Sequence, residues 1–283
     1  MPISLGAVTD EISINLEEAL SWAKEKELDY IDLRDLWVAG ENISELSEDK
    51  VNKAYELVKT SGLKVKTICP TLFRALLNGD DVKRLKENRS LVNTDDSQYA
   101  EHLRILKHSI DLADRFEAPF IRTFAFFREK EPDEVWKTLI EAFELPLEMV
   151  AERGKILLLE NEDMSYAASG SEAARLLQKI NNKHFRAIWD PANAYNHEEK
   201  PFPTGYNQIK PFIELIHAKD ISGSDIVTMG NGEINWDGQL KALQADKFSG
   251  GISIETHTLS GEQNLLEGSE ENLEYIRTRL TLN

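Results

Sequence analysis

Residues 155–190, KILLLENEDMSYAASGSEAARLLQKINNKHFRAIWD, hold one complete strand–helix–strand unit. Lys155 to Glu160 is a short apolar run that ends on a carboxylate. Ser171 to Ile180 has the 3.6-residue apolar period of a helix, and Arg186 to Asp190 is a second short run, again ending on a carboxylate. This order predicts a βαβ unit and a parallel sheet. The alternation continues in both directions. Upstream lie a long helix from Pro132 to Arg153, a strand from Phe120 to Phe124, and a helix from Ala100 to Phe116. The last of these is apolar at Leu103, Leu106, Ile110, Leu112 and Ala113. Further back, the polar stretch from Arg74 to Gln98 reads as a long loop with a short helix. Strand Lys64 to Cys69 is stopped by Pro70, and helix Ser47 to Ser61 is closed by Gly62. Strand Tyr30 to Leu33 follows helix Leu16 to Lys26, which Asn15 caps with Glu18 as its capping-box partner. The first strand is Ile3 to Val8. Downstream come a short helix, strand Leu215 to Lys219, helix Asp237 to Asp246, strand Gly251 to Glu255 and a closing helix from Gly261 to Leu282.

About eight strands and eight helices over this length predict one (β/α)8 TIM barrel spanning residues 1–283 as a single domain. No Gly/Ser/Pro-rich linker divides the chain. An open doubly wound sheet would carry a glycine-rich first turn, and GAVTDEI at 6–12 has none. Of the 283 residues, 41% are hydrophobic, enough for a full-size core. The net charge of −17 repels phosphate backbones and anionic bilayers, so neither nucleic acid nor membrane is an expected partner. A small anionic substrate stays compatible, because a bound dication reverses the field locally. Cys69 is the single cysteine, which excludes an intrachain disulfide and a cysteine-based zinc site. The N-terminus lacks the basic and apolar regions of a signal peptide, and the expectation is a soluble cytoplasmic protein.

In a barrel, side chains alternate between interior and helix layer, and catalytic groups gather at the carboxyl ends of the strands. Four consecutive strand ends are informative. The fifth ends on Glu160 and Glu162, which share a facing. The sixth ends on Asp190, the seventh carries His217 and Lys219, and the eighth carries Glu255 and His257. Taken singly, such residues are ordinary helix caps, loop acids or buried histidines. Three carboxylates converging on one mouth, however, repel one another unless a cation lies between them. Glu160, Asp190, His217 and Glu255 therefore predict a site for one divalent metal. Oxygen and imidazole donors without thiolate suit Mn²⁺ or Mg²⁺, with Co²⁺, Fe²⁺ or Zn²⁺ also feasible; ligand type does not separate them, and Mn²⁺ is the leading expectation.

Further inward-facing candidates for substrate binding are Lys219, His257, Arg122 near the end of strand four, Arg34 after strand two, and Glu162. The arginines have the fork geometry for a carboxylate or phosphate, but each could equally pair with a neighbouring acid, as Lys219 could with Asp220. The glycines of GNGEIN, 230–235, allow either a phosphate approach or a plain turn. Trp189 and Trp236 read as packing residues.

The segments LLLENE (157–162), WDPANAY (189–195), LIHAKD (215–220), GNGEINW (230–236) and GGISIETH (250–257) resemble the strand-end motifs of the xylose isomerase-like TIM-barrel superfamily. GAVTDEI and LDYIDLRDLW (28–37) are similar to the first two strands of its bacterial members. The resemblance covers nearly the whole chain. It implies the same metal quartet, and gives Glu160 and Glu255 a second, catalytic role as proton carriers. The implied activity is a metal-dependent isomerisation or epimerisation of a sugar or keto-sugar, by proton abstraction beside a metal-held carbonyl through an enediolate. A lyase or dehydratase acting on a keto-sugar or inosose-like substrate shares the first half-reaction. A non-catalytic metal- and sugar-binding barrel is the alternative from another class. Members of the superfamily commonly pair, so a homodimer is an expectation. The DNA-repair branch is disfavoured by Asn193, which replaces one of its histidines, and by the absence of histidine in GNGEINW. Glu162 also stands where many relatives have histidine.

Overall fold

The structure, a computed structural model, describes residues 3–257 and 265–281. Eight parallel strands close into a barrel. They are β1 Ser4–Val8, β2 Tyr30–Leu33, β3 Lys64–Ile68, β4 Phe120–Thr123, β5 Ile156–Glu160, β6 Phe185–Trp189, β7 Ile213–Ala218 and β8 Gly251–Ile254. Each pairs with its neighbours in chain order, and β1 closes the ring on β8 with Gly6 opposite Ser253. The helices that follow the strands lie outside, and an antiparallel hairpin, Asp220–Ser222 with Asp225–Val227, extends beyond β7. The chain is therefore a (β/α)8 barrel, as its alternation predicts.

Local signals place most boundaries. Asn15 accepts the Glu17 amide at the start of helix Leu16–Glu25, and its Nδ2 bonds Glu18, the expected capping partner. Gly62, in the left-handed region at φ 76°, ends helix Glu48–Ser61. The irregular stretch contains helix Gly79–Glu87, capped by Asn78, and a 3₁₀ segment at Arg89–Asn93. The final helix runs over Leu265–Thr281, and the rest of its expected span, 261–264 and 282, lies outside the described residues. β6 stops at Trp189, one residue earlier than expected. Asp190 instead caps helix Pro191–Asn196, accepting the Ala192 and Asn193 amides.

Two apolar layers sandwich the sheet. The larger fills the space between barrel and helices, with Trp189 and Trp236 fully buried as packing residues. The smaller, inside the barrel, is built from Tyr30, Phe120, Leu158, Ile188 and Leu215. Two residues further along each of these strands the inward position becomes polar: Asp32, Arg122, Glu160, Asp190 and His217, all buried. One strand period thus separates an apolar plug from a charged upper layer. The plug depends on absent side chains. A Cβ on Gly6 would stand 2.2 Å from the Tyr30 ring, and one on Gly251 would stand 2.4 Å from its hydroxyl.

Candidate functional site

Glu160, Asp190, His217 and Glu255 each offer one ligand atom, and these atoms all lie within 4.8 Å of one another. His217 Nδ1 is 2.8 Å from Glu160 Oε1 and 3.4 Å from Glu255 Oε2. The other oxygen of each glutamate is held by an arginine. Arg122 Nη1 donates to Glu160 Oε2 at 3.2 Å, and Arg34 Nη1 donates to Glu255 Oε1 at 2.9 Å. The Lys219 ammonium stands between the remaining acids, 2.6 Å from Asp190 Oδ2 and 2.9 Å from Glu255 Oε2. Asp190 spends Oδ1 on its helix cap, which leaves Oδ2 for the site.

This crowding governs the protonation states. Burial opposes a charge on His217, but Glu160 and Glu255 outweigh it and raise its pKa to about 10. Burial also works against ionisation of Glu160 and Glu255. The cations around them win, and both are held below the usual carboxylate range. Asp190, equally buried, is shifted upward by its desolvation. Burial alone would make both glutamates more basic; Arg122, Lys219 and His217 overcompensate. The cluster is rich in hard oxygen donors, and His217 turns one ring nitrogen toward the carboxylates. That donor set could hold a divalent cation.

The other candidates divide by what they touch. Arg122 also donates to the Cys69 carbonyl at 3.2 Å and lies over the Phe124 ring, leaving Nε without a partner. Arg34 grips Asp10, Glu11 and Glu255 together, so its fork is occupied by the protein's own acids. Lys219 does not pair with Asp220. That carboxylate accepts the amides of Ile221, Gly230, Gly232 and Ile234, which folds GNGEIN into a turn. Two of the loop's glycine amides are therefore used internally, which favours the plain turn over a phosphate loop. Glu162 lines the mouth and pairs with Arg74 at 3.4 Å, its pKa raised by burial and by Glu160. His257 sits at φ 55°, in the left-handed region. This turn directs both its backbone N–H and its Nδ1 to the Glu11 carboxylate, while Nε2 lies 3.2 Å from the Lys219 ammonium. The mouth cavity above the cluster has a volume of about 360 Å³, suited to a small molecule.

Four residues of this network escaped the sequence reading. Asp10 and Glu11 follow β1, and Arg74 belongs to the loop after β3. Asp32 lies two residues past Tyr30 inside β2 and accepts a hydrogen bond from Ser253 Oγ. The strand-end rule applied to the first two strands would have flagged Asp10, Glu11 and Asp32. No comparable signal marks Arg74.

No curated protein matches this sequence. Solved structures of the same fold include a zinc-bound IOLI protein, 16% identical, with a TM-score of 0.75 over 99% of both chains. The probable 3-DHS dehydratase AsbF from Bacillus anthracis is also 16% identical, with a TM-score of 0.73 over 98% of this chain and 99% of that one. The 3-keto-D-glucoside 4-epimerase YcjR from E. coli, 16% identical, gives 0.70 over the same shares. At that identity the likeness shows the fold. The sequence model of one family matches residues 20–279, and with the closed barrel in view this chain belongs to the xylose isomerase-like TIM-barrel family.

Proposed function

We propose that this protein is a divalent-metal-dependent isomerase or epimerase of a sugar or keto-sugar, working by proton abstraction beside a carbonyl. The observation that carries this reading is the convergence of three carboxylates and one imidazole, all buried, at one end of the barrel. Glu160, Asp190, His217 and Glu255 would hold the ion, with Mn²⁺ the first expectation and Mg²⁺ equally compatible with the ligand type. When bound, the ion supplies Lewis acidity and a template for a carbonyl and its neighbouring hydroxyl. The remaining tasks fall to side chains. Glu160 and Glu255 are ionised and each is anchored through one oxygen by an arginine, which turns the other oxygen into the site, Glu160 Oε1 beside His217 and Glu255 Oε2 beside Lys219, as the proton-accepting atom. One takes the proton from the carbon next to the carbonyl, leaving an enediolate. The other returns a proton, from the opposite face in an epimerisation. Lys219, kept protonated by Asp190 and Glu255, would stabilise the developing oxyanion. Glu162 and His257 would contact substrate hydroxyls at the mouth, with Arg122 and Arg34 fixing the two glutamates.

One feature favours a lyase as the second reading. The buried Lys219 ammonium is a ready acid for a departing β-substituent, and a dehydratase is among the proteins sharing this fold. Both readings begin with removal of a carbon-bound substrate proton by a carboxylate whose proton can exchange with solvent. In D₂O with Mn²⁺ and a panel of keto-sugars and inososes, the protein should place deuterium at one substrate carbon. Glu160→Gln and Glu255→Gln should lose that exchange while staying folded. Elemental analysis should find about one divalent ion per chain, absent in His217→Ala. Absence of exchange into every substrate would sink the enzymatic reading, and metal-free protein after Mn²⁺ supplementation would sink the metal.

A further inference from the structure

A second cavity, of about 830 Å³, opens at the amino-terminal ends of β1 to β4, on the face opposite the candidate active site. Its apolar walls come from Tyr55, Val58, Leu63, Val65, Phe116 and Pro119. Its cations are Lys59, Lys64, Lys66 and Arg115, against two acids, Asp29 and Glu117. In a chain of charge −17 this local excess of positive charge is anomalous.

Two of the cations have ordinary explanations. Lys59 and Arg115 occupy the last turns of their helices, where positive charge offsets the helix dipole, and Arg115 pairs with Glu48. Lys66 has none. It lies within β3, half-buried, and its ammonium meets only neutral groups: Ser4 Oγ at 2.9 Å and the Tyr30 ring at 4.3 Å. Among the described residues Lys59, Lys64 and Lys66 form no ion pair, although the chain has 50 acids to 33 bases. Asp29, the acid of the cavity lining whose charge reaches Lys66, has one oxygen committed to the Leu5 amide. Burial lowers the pKa of Lys66, and the more distant charges of Asp32, Glu214 and Asp29 do not fully offset it. An ammonium desolvated without an anion costs free energy, and an anion entering the cavity would offset that cost.

We infer that this cavity is a binding site for a small organic anion. Its anionic head would lie on Lys66, with Lys59 and Lys64 at the rim, and its apolar body against Tyr55, Phe116 and Leu63. The cavity falls within the size range of small-molecule sites and is larger than the mouth on the opposite face. The inference is independent of the metal and of the proposed reaction.

Calorimetric titration with 2-naphthoate and 2-naphthyl phosphate, with uncharged 2-naphthol as control, tests it on the full chain. One anion per chain should bind, and the tighter of the two probes identifies the head group as carboxylate or phosphoester. Lys66→Met should raise Kd at least about tenfold, the loss of one buried charge-assisted contact. Lys59→Ser combined with Lys64→Ser, both at exposed positions, should weaken binding without disturbing the fold. Arg74→Ala, at the opposite mouth, and chelation of metal should leave Kd unchanged. The site is overturned if neither anion binds, or if 2-naphthol binds as tightly. It is equally overturned if Kd responds to Arg74→Ala but not to the lysine variants.

Discussion

Asp32 is the residue whose placement most extends the candidate centre. It is fully buried, its Oδ2 accepts from Ser253, and Ser253 is the register neighbour of His217 across β7 and β8. Asp32 Oδ1 and His217 Nε2 both lack partners, and the charge of His217 acts on the Asp32 carboxyl. Metal-binding histidines characteristically give their second ring N–H to a carboxylate, which fixes tautomer and orientation. Asp32→Asn should therefore weaken Mn²⁺ binding by roughly ten- to a hundredfold while the protein stays folded. Competition against a chelator of known affinity measures this, and an unchanged Kd would remove Asp32 from the centre. Tyr30, beneath it, depends on two glycines. Gly6→Ala should destabilise the barrel by about 1–3 kcal/mol through overpacking. Combining it with Tyr30→Leu should recover part of that loss, a coupling that a double-mutant cycle in urea reads directly.

Among the elements, the loop after β7 shows how one side chain can organise a segment that reads ambiguously. Asp220 gathers four backbone amides, from Ile221, Gly230, Gly232 and Ile234. Hydrogen bonds to a charged acceptor contribute about 1.5–3 kcal/mol each at most, and they are not additive. Asp220→Ala should cost on the order of 3 kcal/mol in urea unfolding, and a loss under 1 kcal/mol would show that water replaces the carboxylate. The loop after β3 depends on a helix in a different way. His102, in helix Gln98–Arg115, accepts the Phe73 amide at Nδ1, at 3.0 Å. Burial lowers its pKa to about 4 from 6.5. Above pH 6.5 folded and unfolded chains both carry it neutral. Between 6.5 and 4 only the unfolded chain takes up the proton, so stability falls as pH drops through that window, by up to about 3 kcal/mol. Unfolding at pH 7.5 and pH 5 should show a smaller loss in His102→Gln than in the unmodified protein. Equal losses would assign the pH dependence to other groups.

At the scale of the whole molecule, the barrel divides its charges between two ends. The carboxyl face gathers acids, arginines and Lys219 into a buried network, and the amino face holds lysines without acidic partners. The described residues include no helix long and apolar enough to cross a membrane. The alternation of short apolar runs with helical periods was enough to read the barrel, because each βα unit writes its own period and its own caps. The four strand ends were legible for the same reason: parity along a strand tells which side chain faces inward before any contact is known. Glu160, Asp190, His217 and Glu255 are brought within ligand distance of one another as that rule implies.

What the order of residues could not decide was pairing among charges. Whether Lys219 meets Asp220 or Asp190, whether Arg34 is free for a substrate or closed on Asp10, Glu11 and Glu255, and whether Gly230 turns toward a phosphate or toward Asp220 all depend on groups far apart in the chain. Elements follow from neighbours a few residues away. Charge pairing follows from barrel closure, which brings residue 11 against residue 257 and residue 34 against residue 255.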